Sequence, residues 1–562
     1  VVIPDKENQG EVPLEGPVEI PAQRGFSISY KGKTLLSKID PIAQAEKIIA
    51  EVPILEECLY FFPSPLYGYG LSVLLEKLKP GSAIICVEAD DSLFEISKKS
   101  FSGFQGKSMC PALLHAKDAV SLCTFVNKTW GKRRFRRVET VHLGGGRLLY
   151  PELYSSLEKA LRREIAVEWS NAMTLIRLGR LYTRNLIRNL ALLPNSKNIS
   201  SLNYASSPIL VLGAGPSLDA LLDELENLFG GRLPGPKERQ FKIICVDTCL
   251  IALIERSIIP DLVIILESQH WNLKDFTGLM GRKIDAALDL SALPASARVL
   301  AGERYFFSTL WTDLRLFDRL KQKSFFPQVF PPLGSVGISG VAIALKISSG
   351  PVLAGGIDFS YSLDAYHALF TPGDRENRLK QSRLRGLVNA AAVLKEGSFI
   401  VRSKDGSTLR SEPGMRNYRE LFEQQFGAEE RLFDIGPTGL HLGVKNISLK
   451  EAISILKCKS NIRTTGDTGI AGDYSEEIID FIKLELCDLI KLKDLLSGAV
   501  PMDTVLLQDL IEKTDYLWAH FPEAAGAGGR HPPLTDVSFL KRVRTEIDPF
   551  AKLMEMSLGE LK

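Results

Sequence analysis

The stretch ILVLGAGPSLDALLDEL, Ile209 to Leu225, decides the fold. A short apolar run ends at Gly213 and Gly215, and a helical pattern begins within a few residues. Strand, glycine turn and helix in that order start a parallel α/β sheet. Gly213 and Gly215, with Ala214 between them, permit a tight turn and close approach of a ligand to the backbone. Pro216 presets the first helical turn, and Ser217 can cap the helix or bond a phosphate oxygen. The loop lacks both the lysine-bearing end of a P-loop and the third glycine of a dinucleotide site. A single phosphate beside a nucleoside therefore suits it better than a triphosphate.

Working outward, IICVDT ends a buried strand at Asp247 and Thr248, which can bond ribose hydroxyls or a base edge, or simply cap a helix. The loop GSVGISG (Gly334, Ser335, Gly337, Ser339, Gly340) leads into another helix, where small residues again admit a phosphate or base. LAGGIDFSYSLDAYHAL places Gly356, Asp358, Tyr361 and His367 after the next strand. Of seven histidines, His270 and His367 closely follow a strand end of this sheet. His367 is preferred as a general base because its loop also carries the glycines and Asp358. Strands are expected at Ile209–Leu212, Lys242–Val246, Asp261–Leu266, Val299–Leu300, Val352–Ala354 and Ser398–Val401. Helices between most of them imply a largely parallel sheet covered on both faces.

The fold class expected is α/β, with a Rossmann-like central domain preceded by a smaller α/β domain and followed by a helical C-terminal domain. The divisions read are 1–25 disordered, 26–150 α/β, 151–205 a helical linker, 206–450 central and catalytic, and 451–562 helical. In the smaller domain a strand, a Gly68/Gly70 turn, a helix and the strand Ala83–Val87 end in Glu88, Asp90 and Asp91. That layout matches a nucleotide-binding half, but Pro63 and Pro65 crowd the turn, so a scaffold role is favoured. The basic run KTWGKRRFRRV (Lys128–Val138) can grip nucleic acid or an acidic partner, but near-zero net charge favours a solvated loop. The stripe Arg177, Arg180, Arg184 and Arg188 reads equally as a solvated helix face or as a partner of acidic groups in another domain.

With 562 residues, 45% hydrophobic content and a net charge of +2, the chain reads as an ordinary globular protein with no general pull toward nucleic acid or anionic membrane. No apolar stretch is long enough to span a bilayer, and the acidic, proline-rich start does not read as a secretory signal. Eight scattered cysteines without a CxxC pair argue against zinc and for a reducing, cytoplasmic setting. Cys58, Cys86, Cys245, Cys458 and Cys487 lie in apolar runs and are expected to be buried.

Taken together, LGAGPSLDALL, VDTCLIALIERSIIPDLVIILE, GISGVAIAL and LAGGIDFSYSLDAYHA resemble the central domain of the Maf flagellin glycosyltransferases (motility accessory factors). That domain is similar in turn to bacterial sialyltransferases, whose GPSL, SG and GIDF segments match the wording here. The resemblance also takes in LLSKIDP, RNLIRNL and TGLHLGV (Thr438–Val444). It implies transfer of a nonulosonic acid of pseudaminic or legionaminic type from a CMP donor to Ser or Thr of flagellin. By position, the resemblance puts Gly213, Ala214, Gly215, Pro216 and Ser217 at the donor phosphate and ribose. It puts Asp247, Thr248 and the Gly334–Gly340 loop by the nucleoside. Gly356 and Asp358 fall at the pocket floor, with Tyr361 among the ligand-binding residues. The catalytic residues expected are His367, which accepts the proton of the acceptor hydroxyl, and Asp358. No cofactor is implied beyond the CMP-sugar, with Mg²⁺ and the oligomeric state left open. A rival reading is a Mg²⁺-dependent pterin pyrophosphokinase using ATP, with Asp247, Asp261, Glu267 and Asp358 as metal carboxylates. A third is a non-catalytic flagellin-binding chaperone.

Overall fold

The computed structural model describes residues 16–104, 110–131, 134–363, 365–384, 386, 396–457, 474–525 and 533–561. The chain forms two compact units, one of residues 1–179 with 519–535 and one of 180–518 with 536–562.

The first unit opens on a three-stranded antiparallel sheet, β1 (Val18–Pro21), β2 (Phe26–Tyr30) and β3 (Lys33–Thr34). Residues 18–21, read from sequence as part of a disordered start, are thus a strand, because β2 supplies the backbone partners that the short run lacks by itself. A four-stranded parallel sheet follows, with β4 (Cys58–Pro63), β5 (Ala83–Glu88), β6 (Ala112–His115) and β7 (Arg137–Thr140) in the order β6-β5-β4-β7. β4 and β5 are buried along nearly their whole length, as expected for strands covered on both faces. Two residues of the basic run have local partners. Arg134 Nε donates to the Gly81 carbonyl (3.1 Å), and Arg136 pairs with Glu57 while lying 4.6 Å over the Trp169 ring. Lys132 and Arg133 lie outside the described residues.

The second unit is built on a ten-stranded sheet whose named pairs are all parallel. Its strands are β8 (Lys197–Asn198), β9 (Ile209–Leu212), β10 (Lys242–Val246), β11 (Leu262–Ile265), β12 (Ala286–Asp289), β13 (Arg304–Thr309), β14 (Val329–Phe330), β15 (Val352–Gly355), β18 (Leu432–Asp434) and β19 (Lys445–Asn446). The order is β14-β13-β12-β11-β10-β9-β15-β18-β19, with β8 pairing β13. Two expected strands are corrected. Val299–Leu300 follows a short 3-10 turn (Ser296–Arg298), and the strand itself comes later, at β13. The expected strand Ser398–Val401 is β16 (Phe399–Arg402), which leaves the main sheet to form an antiparallel hairpin with β17 (Thr408–Ser411).

Between these strands run α6 (Leu218–Leu228), α7 (Asp247–Glu255) and α9 (Val336–Ile347), numbered in a series that begins with α1 (Pro41–Glu51), α2 (Leu71–Lys77), α3 (Asp91–Phe101), α4 (Ala119–Trp130) and α5 (Pro151–Leu190) and includes α8 (Arg315–Leu320) and α10 (Pro372–Leu379). α9 packs on β9, β10, β11 and β15, and a Cβ at Gly340 would sit 3.5 Å from Val211, so this glycine serves the close fit of helix on sheet. Chain continuation puts the start of α9 at the carboxyl edge, since β14 ends there and β15 begins at the other edge.

Asn185 and Asn189, one turn apart in the RNLIRNL segment of α5, are buried. Each donates its side-chain amide to two carbonyls: Ser268 and Ser291 from Asn185, Leu290 and Ala292 from Asn189, at 2.8–3.1 Å. They satisfy backbone groups of the loops that follow β11 and β12, which would otherwise be buried without partners. Helices Ser475–Ser497, Thr504–Lys513 and Val537–Leu561 close this unit. There Arg319 grips the buried Glu485 through two nitrogens, and Asp515 accepts the Arg315 and Leu316 amides at the start of α8. Arg180 reaches Glu546 (2.7 Å), so that member of the arginine stripe meets an acidic partner. Cys58, Cys86, Cys245 and Cys249 are buried free thiols; Cys487 is exposed, a correction to its expected burial, because it falls on the outer face of its helix. Cys458 lies outside the described residues.

Candidate active site

The chain runs from β9 outward through β10, β11 and β12, then returns to lay β15 on the other side of β9. The gap between β9 and β15 is therefore the switch point, where open parallel sheets bind ligands at their carboxyl edge. Both glycine loops singled out from sequence emerge at this gap, and they are locked together. The Gly213 amide donates to the Gly355 carbonyl (2.9 Å) and the Gly215 amide to the Gly356 carbonyl (2.8 Å). The Asp358 carboxylate accepts the Ser217 amide (2.7 Å) and the Ser217 hydroxyl (2.5 Å).

This latch gives the glycines a different purpose from the one the sequence suggests. A Cβ at Gly213 would run into the Gly356 carbonyl, and one at Gly215 would lie 2.5 Å from Asp358 Oδ2. Glycine is needed here because one loop presses on the other. Asp358 occupies the start of α6 as an anion would, drawn by free amides and the helix dipole. It is 4% exposed, and burial pushes its carboxyl up to about 6 against the Ser217 hydrogen bonds and the Lys404 charge. Gly356 has φ +67, a left-handed conformation that a side chain would strain.

The other expected residues fall around this gap. Ala214, Gly215 and Pro216 remain half-exposed. The Ala214 carbonyl accepts the Ala368 amide (3.0 Å), which carries the His367 loop across the glycine turn. The His367 ring meets Tyr366 edge-on at 4.9 Å, and burial lowers its pKa, leaving the imidazole neutral and able to accept a proton at pH 7. Tyr361 is fully buried. Its main chain pairs with Arg410 and its ring lies 4.7 Å from Tyr366, so it contributes to the floor as packing. His270 lies 4.2 Å from the exposed Trp271 ring, in the turn after β11. At the start of α9, Ser335 is the N-cap without a side-chain cap bond, and Gly334 (φ +68) is held against Tyr418. Gly337 faces Ile357, and the Ser339 hydroxyl is buried with no partner among the described residues.

Asp247 opens α7 and is 2% exposed. It accepts the Thr248 amide (2.8 Å) and the Asn272 side-chain amide (2.7 Å). Asn272 also donates to Asp275 (3.0 Å) and accepts the Ser296 hydroxyl (2.7 Å). Burial raises Asp247 to about 6, and burial with the Asp247 charge raises Asp275 to about 7. Asn272 and Asp275 escaped the sequence reading because they sit in a 3-10 turn, His270–Phe276, with no spacing motif. Asp261 lies before β11, at the amino edge, where it pairs with Arg239 and Lys242. The four carboxylates of the pyrophosphokinase reading therefore do not converge, and among the described residues no three His, Cys, Asp or Glu side chains form a metal-holding group.

The family described as 6-hydroxymethylpterin diphosphokinase MptE-like matches residues 183–364, which contain both latch loops. An uncharacterized protein of Treponema pallidum (strain Nichols) is 28% identical over 570 residues, covering 97% of this chain and 96% of its own. The solved structure of the MAf glycosyltransferase from Magnetospirillum magneticum AMB-1 superposes with a TM-score of 0.52 at 13% identity, over 97% of this chain and 92% of that one. The chain has the Maf glycosyltransferase fold. The similarity spans both units and is not confined to the part that the pterin-kinase family matches. Among the described residues no helix is long and apolar enough to cross a membrane.

Proposed function

We propose that this protein is a glycosyltransferase that moves a nonulosonic acid, of pseudaminic or legionaminic type, from its CMP donor to Ser or Thr of flagellin in the cytoplasm. The observation that carries the reading is architectural: the fold similarity to a Maf glycosyltransferase runs through nearly the whole chain, well beyond the nucleotide-type sheet. The switch point supplies the chemistry. The start of α9, with Ser335 and Gly337, offers amides and a helix dipole to the donor phosphate. Thr248 beside Asp247 offers hydrogen bonds to the nucleoside. His367 is held neutral over the glycine turn and takes the proton of the acceptor hydroxyl as its oxygen attacks the anomeric carbon. The bond from that carbon to the phosphate oxygen breaks, and CMP leaves with the electron pair.

The MptE-like match to residues 183–364 favours the second reading, pyrophosphate transfer from ATP to a pterin. Nucleotide choice separates the two. A ligand that binds the native state alone raises the melting temperature. CMP should stabilise the protein more than ATP with Mg²⁺ does; the opposite order would favour the kinase reading. Intact-mass measurement of flagellin from cells with and without the protein tests the acceptor. A flagellin mass unchanged by its loss would sink the glycosyltransfer reading.

A further inference from the structure

The hairpin β16–β17 turns through Lys404, Asp405 and Gly406 (φ +82), and it is fastened to the segment that carries Asp358. Tyr361 and Arg410 exchange two backbone hydrogen bonds of 2.9 Å, and the Ser411 hydroxyl donates to the Phe359 carbonyl (2.8 Å). The Lys404 amide donates to the Gly439 carbonyl (3.0 Å), and the Ser403 hydroxyl accepts the Gly439 amide (3.1 Å). Gly439 (φ +99) presses so closely on Asp358 that a Cβ there would lie 2.9 Å from the Asp358 Cα, and the Leu440 amide donates to the Asp358 carbonyl (3.0 Å). The Lys404 side chain, 6% exposed, enters this assembly and meets both oxygens of Asp434, 2% exposed, at 2.9 and 2.8 Å. Asp434 ends β18, the strand beside β15, so two buried carboxylates stand at adjacent strand ends with one ammonium between hairpin and sheet.

We infer that Lys404 is a positioning residue: its buried ammonium offsets the charges of Asp434 and Asp358 and so keeps the latch between the β9 and β15 loops closed. The inference rests on the glycosyltransferase reading only for its consequence, since the latch frames the site proposed for the donor. The charged groups around Asp358 are Lys404 and Asp434, with Asp219 at the start of α6. Asp405 and Glu224 border the same cleft as Lys404, and His441 is exposed on the segment that carries Gly439. Burial pushes Asp358 up to about 6, Asp434 adds to that push, and Lys404 opposes it. A closed-state value above the ordinary carboxylate range means that closing the latch takes up a proton. Ionisation therefore weakens the latch as pH rises through about 6, and Lys404 limits the loss. Without it, an ionised Asp358 stands uncompensated beside Asp434, and acid relieves the strain by protonating Asp358.

Hydrogen exchange of the amides in residues 213–222, corrected for intrinsic rates, tests this in the full chain at pH 5 and pH 8. Lys404→Met should exchange there about tenfold or more faster than wild type at pH 8, the direction expected when a buried carboxylate loses its partner charge. The gap should narrow at pH 5, and Lys404→Arg should restore protection at both. Equal protection in Lys404→Met and wild type at pH 8, or the same loss at both pH values, would overturn the role. Should Lys404→Met fail to fold, Lys404→Met/Asp434→Asn takes its place. Asp358 is then the one buried acid of the pair, and the same acid-dependent recovery is expected. CMP binding is measured on the same samples. Wild type that ignores CMP at both pH values would defeat the functional reading while leaving the exchange data to judge Lys404.

Discussion

Two parallel sheets in this chain have the same plan and opposite outcomes. Each has a switch point, between β4 and β7 in one unit and between β9 and β15 in the other. Each has glycines after both flanking strands and a buried acid at the end of the next strand, Glu88 and a residue later Asp247. In the first unit the crevice is filled by the chain itself. A Cβ at Gly144 would lie 2.6 Å from the Leu35 carbonyl, and one at Gly146 would overlap the Ser64 hydroxyl. Ile28, Leu35, Leu36, Leu66 and Leu93 form a small core over the strand ends. Glu88 accepts the Ser64 hydroxyl (2.7 Å) and the Tyr154 hydroxyl (2.8 Å), which leaves it no ligand to serve. In the second unit the two loops are latched to each other, yet Ala214 to Pro216, Thr248, Gly334 and Ser335 stay partly exposed around them. Topology creates a crevice in both units, and what the neighbouring loops put into it decides whether a ligand can enter.

The largest effect is expected at His367. Serine and threonine hydroxyls are poor nucleophiles until a base takes the proton, and His367 is a neutral imidazole whose loop is bonded to the glycine turn through the Ala368 amide. His367→Ala should lower transfer to flagellin by roughly 10²-fold or more while CMP affinity and melting temperature change little. A stable variant that modifies flagellin normally would remove the base from this histidine. It would also weaken the claim that the second crevice is the working one.

The glycines sharpen the comparison directly. Gly215→Ala places a methyl against Asp358 Oδ2, and Gly146→Ala places one on Ser64, so each should cost about 1–3 kcal/mol through overpacking. Only the first should weaken CMP binding, because only that latch frames the proposed site. Titration of both variants with CMP, beside urea denaturation, reads the two effects separately. Loss of CMP binding in Gly146→Ala with Gly215→Ala unaffected would reverse the assignment of the two crevices.

Much of this sheet was legible in the sequence. β9, β10, β11 and β15 are continuous apolar runs bounded by turn residues, the pattern of strands buried on both faces. β12, with two alanines, and the three-residue β18 carry too little hydrophobic signal to stand out. Val299–Leu300 mimicked a strand because two apolar residues fill a turn beside the sheet. The latch was half visible. Both loops stand out in the sequence, but their mutual contact is a tertiary fact, so in the sequence the glycines look like room for a ligand. Lys404 was hidden because its partners, Asp434 and Gly439, are distant in sequence. The Asp405-Gly406 pair was nevertheless a readable hairpin turn.

The smallest effect is expected at Glu88, the acid placed where a nucleotide-binding half would hold a ribose. It is 1% exposed, and burial raises its pKa, against the bonds from Ser64, Tyr154 and the Ala89 amide. A carboxyl whose folded value lies above its unfolded one binds its proton more tightly in the native state. Its contribution is therefore greatest below the ordinary glutamate range and declines as pH rises through the folded value. Glu88→Gln keeps an oxygen acceptor and removes that titration. At pH 7 the variant should lie within about 1 kcal/mol of wild type, since one hydrogen bond is traded against a relieved charge. Its stability should change less steeply than that of wild type as pH rises from the ordinary glutamate range, as followed by urea denaturation at several pH values. CMP binding should be unaltered, because this acid is engaged by its own unit and faces no open crevice. If Glu88→Gln instead abolished CMP binding while the protein stayed folded, the self-filled sheet would be the nucleotide site, and the contrast between the two units would fall.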